Sequence, residues 1–488
     1  MSRALSAIYM SFAIAIFVSI VDLVGGLPLA WFIVRGKSKW LSAIDTLADI
    51  PFIIPTVTLG YSLLLFWNSP GGISSLFGYS LVSPGWLLVM LLHFTFSYPC
   101  VVRVMVGEIL DYEQVYEQAA RTAGASPYTA ARTVSLPILR SGLVASFILA
   151  FARSISETGA TMMVAGAFEN GPIFINNAMT LGYEGPLVFV SFVLIAVACL
   201  IFAVIRLLGQ RVGIPIKKVW PTMERRLSSP QVAASRNGIS LLVFLVMVLA
   251  PSLFIVLPAV NAILSGTVIQ ALTGSGVWQG YWQAILLSYA VGAVVTVLNM
   301  VAGLPMAVLI ARRRWGAVFS TILDLLVNIP MIVPSVALGV SLSLFWKSLT
   351  FIPEIWLLIF AHLAITYPYF VRATSAAIES VNVDLEDSAR VLGGRPFTVF
   401  RTIIMPLTKY SLFSGAIMMF TRSVDETGAT LAVVTKMKTV PVLLVDWVKG
   451  GVQATPLEIG LGCGFLVLMS FIVLLSLRII IKGAHQHA

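Results

Sequence analysis

IPFIIPTVTLG at 50–60 and IPMIVPSVALG at 329–339 are one segment written twice, and that repetition decides how the chain is built. Three more pairs follow in the same order. HFTFSYPCVVR at 93–103 returns as HLAITYPYFVR at 362–372, QAARTAG at 118–124 as DSARVLG at 387–393, and RSISETGAT at 153–161 as RSVDETGAT at 422–430. The last three pairs share an offset of 269 residues and the first is offset by 279. A loop from Asn68 to Pro84, longer in the first copy, absorbs the difference. Matched blocks in one order mark a tandem repeat of a whole structural unit.

Composition says where such a unit lives. Hydrophobic residues make up 58% of the 488, charged residues 11%, and mean hydropathy is +0.96. Soluble domains carry about 25% charged residues, so a water-soluble enzyme is excluded. Apolar runs of about 20 residues, enough to cross the hydrocarbon core, recur along the chain. Bundled spans tolerate 24 prolines and 37 glycines, because neighbouring helices re-satisfy freed backbone groups. The expected fold is an all-α polytopic membrane protein in the lipid bilayer of a cell (plasma or inner) membrane. The net charge of +10 is confined to a few loops and implies no nucleic-acid partner. Cys100, Cys199 and Cys463 sit in apolar runs without metal-ligand spacing and read as packing residues, and no metal site is expected. The apolar run from Arg3 to Val34 is too long for a signal segment and recurs near 282–311, so it reads as a mature span.

Each copy reads as five spans, near 5–34, 41–67, 85–106, 141–165 and 186–208, then near 284–311, 319–346, 355–375, 410–434 and 456–481. Five is odd, so a directly joined second copy would be inverted. An extra apolar segment near 239–260 restores the orientation and gives about eleven spans: two parallel five-helix repeats plus a linking helix. The expected domains are residues 1–208, a linker with its helix and outside loop at 209–283, and residues 284–488. Arg35, Lys37 and Lys39 match Arg312, Arg313 and Arg314, and Arg121, Arg132 and Arg140 match Arg390, Arg401 and Lys409. The linker adds Arg206, Arg211, Lys217, Lys218, Arg225, Arg226 and Arg236. The positive-inside rule makes these loops cytoplasmic. It sets the N-terminus outside and the C-terminus, from Lys482 onward, inside. A span upstream of Met1 would restore the commoner arrangement.

The longest polar segments of the two copies, 107–140 and 376–409, stand in equivalent places on the basic side. In the first, Ala119, Ala120 and Ala123 give a small-residue helix face, and Gly124 offers a positive φ to end that helix. Ser126 and Pro127 suit the cap and first turn of a second short helix, which Pro137 is expected to stop. The outcome is a cytoplasmic helix-turn-helix shaped for a groove on a partner. The spacing of Gln118-Ala119-Ala120, Gly124 and Val134-Ser135-Leu136-Pro137, repeated as Asp387-Ser388-Ala389, Gly393 and Ile403-Ile404-Met405-Pro406, resembles the EAA loop of ABC importer permeases. The resemblance covers essentially the whole chain as two MetI-like units. A fused pair looks like the iron(III) and thiamine permeases, while the GAT blocks look closer to the sulfate and molybdate permeases. It implies that each loop docks one ABC ATPase subunit on the cytoplasmic side, and that a separate extracytoplasmic substrate-binding protein delivers cargo. ATP and magnesium would be held by those partner subunits, with no cofactor in this chain. The leading Glu of the motif is Gln118 in one copy and Asp387 in the other, with Glu117 and Glu386 one position earlier.

Ionisable groups at membrane depth are costly and default to functional candidates. Arg153 with Glu157 and Thr158, and Arg422 with Asp425, Glu426 and Thr427, occupy the fourth spans. Four residues apart on a helix, each Arg–Glu couple either pairs with itself or lines a cavity that cargo touches; the TGAT that follows permits local unwinding. Pro51 and Pro55, matched by Pro330 and Pro334, predict a kinked second span. Asp22, aligned with Asn299, either contacts cargo or makes an interhelical hydrogen bond. His93 and His362 keep no second ligand at helical spacing, so a metal role is not favoured. The Gly-Lys-Ser at 36–38 is a decoy, because Trp31 stands where a phosphate loop needs its first glycine. The chain is therefore expected to hydrolyse nothing itself. The expected function is the permease subunit of an ATP-driven importer, moving ferric iron, an oxyanion or a thiamine-like solute by alternating access. The rival is an ion-gradient-driven secondary transporter with Asp22, Glu157 and Glu426 as coupling sites.

Overall fold

The structure, a computed structural model, describes residues 2–68, 71–209, 220–346, 349 and 351–486, and of 206–209 and 477–486 the helix path alone. Arg211, Lys217 and Lys218 of the linker lie outside the described residues, as do the side chains of Arg206 and Lys482. Every regular element among the described residues is helical. Eight helices are long and apolar enough to cross a membrane, and three bent pairs raise the number to eleven. The order is five, one and five, as the repeats imply.

Two compact units result, Met1–Phe174 with Val193–Leu257, and Ile175–Phe192 with Pro258–Ala488. In the first, the third span Trp86–Asp111 is the axis, packed along the first span Ser2–Arg35 and the fourth, Arg140–Ser156. In the second, Glu354–Glu379 takes that place beside Tyr281–Arg312 and Met405–Val424. The linking helix up to Leu257 sorts with the first unit, and its hydrogen bonds show why. Pro251 has no N–H to give to the Met247 carbonyl one turn back. That carbonyl instead accepts a hydrogen bond from Thr95 Oγ1 at 2.7 Å. Ser62 Oγ donates to the Pro251 carbonyl at 2.6 Å and accepts from the Ile255 N–H at 2.9 Å.

The expected kink of the second span is a full break. Helix Ala317–Ile332 meets Ser335–Trp346 at 107°, and the first copy breaks at the same place before Thr56. Only Pro55 and Pro334 stand at the break, whereas Pro51 and Pro330 lie inside the preceding helix. The residue before each break proline, Ile54 or Val333, is extended (ψ 126° and 137°), as the proline ring demands. Beyond the break the chain crosses its neighbour at backbone distance. A Cβ on Gly60 would lie 2.8 Å from the Ala160 carbonyl oxygen, and one on Gly339 would lie 2.7 Å from Ala429 Cα.

Gly60→Val and Gly339→Val are each expected to cost about 1–3 kcal/mol by overpacking this crossing. The check is the unfolding midpoint of the detergent-solubilised protein. An unchanged midpoint would mean that the two segments do not approach so closely.

Candidate functional site

The two polar segments form the same device. In the first unit the third span ends at Asp111, helix Gln114–Thr122 follows, Gly124 turns the chain, and helix Pro127–Ala130 begins. In the second unit the order is Val383–Val391, Gly393 and Pro396–Val399. Gly124 sits at φ +95° and Gly393 at φ +88°, and a Cβ on either would meet nothing within 4 Å. Dihedral strain alone therefore demands glycine there. Paired backbone bonds close each turn: Gly124 N to Arg121 O at 3.0 Å with Ala125 N to Ala120 O at 3.1 Å, and their counterparts from Gly393 and Gly394, both at 2.9 Å. This is the Schellman arrangement, which satisfies carbonyls a helix end leaves orphaned. Helix Gln114–Thr122 buries no residue against its own unit, and Val383–Val391 buries only Glu386. Gln118, Ala119 and Asp387 are exposed, and Ala120 and Ala389 half-buried.

Glu386 faces inward. Its carboxylate lies 2.5 Å from Arg312 at the end of the first span and 3.3 Å from Arg390, with 2% of the side chain exposed. Glu117 stands 4.0 Å from Arg35, the equivalent of Arg312. These glutamates thus brace the loop to the span rather than face outward. Pro137 is followed within one residue by the end of its helix, as expected, whereas the helix runs on through its counterpart Pro406. Each is preceded by a π turn, at Ala131–Ser135 and Phe400–Ile404. A wider turn relieves the ring's clash with the preceding carbonyls. The first copy then bends by 71° at Leu139, while Pro396–Val424 runs on as one span.

The fourth-span helices are interrupted beside the Arg–Glu couples. Helix Arg140–Ser156 ends before Glu157, which is extended, and the chain resumes as Gly159–Val164. In the second unit Val424 ends the helix, Asp425 to Thr427 carry the break, and Gly428–Val433 follows. The expected single helix carrying Arg and Glu one turn apart is thus broken around the glutamate, and the break takes in Thr158 and Thr427, the first residues of the TGAT where unwinding was expected. Each glutamate caps the new helix start: Glu157 Oε1 accepts from Ala160 N at 2.8 Å and Glu426 Oε1 from Ala429 N at 3.0 Å. Glu157, Thr158, Asp425, Glu426 and Thr427 are all buried. Arg422 keeps its ion pair with Glu426 at 2.8 Å. The Arg153 guanidinium lies over the Phe96 ring, 3.9 Å from its centroid. Ile365 stands at that place in the second copy, so this cation–π contact to Phe96 has no counterpart at that position.

The sequence did not assign His93 and His362 their role. His93 Nδ1 lies 2.8 Å from Ser154 Oγ and Nε2 lies 3.0 Å from Thr161 Oγ1. His362 repeats this with Ser423 at 2.8 Å and Thr430 at 2.9 Å. One serine precedes the break and one threonine follows it, so a single imidazole holds both halves of the interrupted span. The signal was present: all three residues recur at the common offset inside the matched blocks. Among the described residues no cluster of three or more His, Cys, Asp or Glu is placed to hold a metal ion.

Asp22 and Asn299 make equivalent interhelical bonds. Ser97 Oγ donates to Asp22 Oδ2, and Asn299 Nδ2 donates to Thr366 Oγ1 at 2.8 Å. Asp22 is fully buried and its Oδ1 has no hydrogen-bond partner. His93→Ala and His362→Ala are each expected to cost about 1–3 kcal/mol, by orphaning buried hydroxyls and releasing the break. Asp22→Asn is expected to be neutral or stabilising, because the second copy already uses Asn there. Thermal unfolding in detergent ranks all three, and a destabilised Asp22→Asn would contradict the equivalence.

A family model described as the binding-protein-dependent transport system inner membrane component matches residues 6–214 and 300–487. The molybdenum transport system permease protein ModB of Escherichia coli (strain K12) is 31% identical over 169 residues, 32% of this chain and 73% of that protein. The probable sulfate transport system permease protein cysT of Chlorella vulgaris is 30% identical over 167 residues, 33% of this chain and 62% of that protein. The sulfate transport system permease protein CysW of Escherichia coli (strain K12) is 34% identical over 175 residues, 33% of this chain and 57% of that protein. These alignments each take up about a third of the chain and span 57% to 73% of the relatives' own length. With two matched segments and eight to eleven candidate spans among the described residues, the chain belongs to the family of inner-membrane permease components of binding-protein-dependent (ABC) transport systems, and it carries the family unit twice in tandem.

Proposed function

We propose that this permease is the translocation subunit of an ATP-driven importer whose cargo is a small oxyanion. The observation that carries the coupling half is the pair of exposed helix–glycine–helix segments, set at the same point of both units and closed by the same Schellman turn. Each would seat in the groove of one ABC ATPase subunit, with Gln118-Ala119-Ala120 and Asp387-Ser388-Ala389 as the docking faces. Glu117 and Glu386 would transmit the movement to the first spans through Arg35 and Arg312. ATP and its magnesium ion would belong to those subunits, and a separate capture protein would load the permease from outside. The loops would face the cytoplasm, with the N-terminus outside and the C-terminus inside.

The oxyanion assignment rests on the relatives, whose names specify molybdenum and sulfate. The interrupted fourth spans would be the moving parts of the pathway. A break held by one imidazole and one carboxylate can rearrange without exposing unpaired backbone to lipid. Arg153, Glu157 and Thr158, with Arg422, Asp425, Glu426 and Thr427, are the groups placed there, and Asp22 and Asn299 hold the first spans against the third.

The test is uptake into proteoliposomes that contain the permease, its ATPase subunits and its capture protein, with radiolabelled sulfate, molybdate, ferric iron and thiamine compared. ATP-dependent accumulation of an oxyanion alone is the expected result. Uptake that persists without any ATPase subunit would establish the gradient-driven alternative. Gly124→Val or Gly393→Val imposes about 1–2 kcal/mol of left-handed strain, a factor of roughly 5–30 in the population of the docking geometry. Uptake per ATP hydrolysed should fall in each variant while membrane insertion persists. Normal coupling in both would remove the docking role from the loops.

A further inference from the structure

The linker helix after the first copy holds that copy's coupling loop with a buried charge. Helix Pro221–Leu227 lies against the first loop's short helix Pro127–Ala130. Glu224, 2% exposed, takes three hydrogen bonds: from Thr129 Oγ1, from Arg132 Nη2 at 2.6 Å, and from the Trp220 N–H at 3.3 Å. The Arg132 guanidinium also lies over the Trp220 ring, 5.6 Å from its centroid. One turn on, Ser228 Oγ accepts from the Tyr128 N–H at 3.0 Å and lies 2.9 Å from Ser126 Oγ, the cap of the loop's short helix. The Thr129 hydroxyl, followed by the Trp220 N–H and Arg132, holds the Glu224 carboxyl below the ordinary range, so the charge is in place at neutral pH.

The second loop is dressed differently. Its cap position is Arg395, which makes no side-chain cap, and Thr398 and Arg401, standing where Thr129 and Arg132 stand, are exposed. Tyr128 is 39% exposed under the linker, and its counterpart Phe397 is 73% exposed. Equivalent helices therefore present themselves with different freedom. The first is capped and pinned from behind, and the second lacks that cap and presents Thr398 and Arg401 to the surface.

We propose that Glu224 is a positioning residue that clamps the first coupling loop and not the second, so that the two loops engage their ATPase subunits unequally. The proposal rests on the docking role given to the loops above. A clamped loop loses less conformational freedom on docking, so the first contact binds more tightly and transmits movement with less slack. The second loop yields on contact and is the side that releases. Fusion of the two units supplies this asymmetry through the linker, even where the two ATPase subunits are identical.

The test uses the full permease with its ATPase subunits and capture protein, the native cysteines replaced, and a single cysteine at Thr122 or at the equivalent Val391. Disulfide trapping to a cysteine on the ATPase groove reports each contact separately. Glu224→Ala should slow trapping at position 122 by about threefold or more, leave position 391 unchanged, and lower uptake per ATP hydrolysed. Glu224→Gln, which keeps the contacts to Thr129 and Trp220, should fall between. If Glu224→Ala fails to insert, Ser228→Ala loosens the same clamp from its other end and should give the same selective loss at 122. Equal trapping at both positions with and without these substitutions, or an equal loss at both, overturns the clamp. Absence of trapping at either position in the unsubstituted permease would instead remove the docking role itself, and the clamp with it.

Discussion

Backbone polar groups in hydrocarbon have no water to turn to, and each one left unpaired costs several kcal/mol. Unbroken helices meet that constraint by themselves, but both units of this permease interrupt their second and fourth spans. The rest of the architecture follows from how those interruptions are satisfied. Glu157 and Glu426 cap the helices that restart after the fourth-span breaks. His93 and His362 bridge the halves by hydrogen bonds to one hydroxyl on each side. Gly60 and Gly339 let the resumed second spans lie against the resumed fourth spans at backbone distance. The third span is buried most deeply because it supplies the histidine and the hydroxyl that the other spans need.

This also explains which features the copies share and which they do not. The breaks, the imidazole clamps and the Schellman turns are present in both, since each satisfies a backbone group or a buried hydroxyl that either unit would otherwise leave unpaired. Other side chains have diverged at particular places. Asp22 faces Ser97 where Asn299 faces Thr366, and the ring of Phe96 under Arg153 becomes Ile365 near Arg422. Divergence reaches the polar loops, where the linker helix Pro221–Leu227 holds the first. The two units are therefore alike in path and unlike in chemistry.

Much of the coupling loop was legible in the chain itself. Gly124 and Gly393 end their helices at positive φ, and Ser126 with Pro127 starts the next, because capping chemistry is local. The prolines were less legible. Pro55 and Pro334 make a break, which is more than the predicted kink. Pro137 ends its helix within a residue, as predicted, while its counterpart Pro406 is absorbed behind the π turn Phe400–Ile404. Whether a proline kinks, breaks or is absorbed depends on what the neighbouring helices offer the carbonyl it strands. That is not a local property.

Sequence by itself determined the membrane solvent, the tandem repeat and the turn chemistry of the loops. Each of these is set by composition, period or a few adjacent residues. Tertiary structure alone decided that His93 and His362 bridge the fourth-span breaks, that Glu386 turns inward to Arg312, and that Glu224 reaches back to Thr129 and Arg132. The partners in these contacts lie between tens and about a hundred residues apart in the chain. No periodicity connects them, and only packing brings a buried polar group to the one donor or acceptor that can satisfy it.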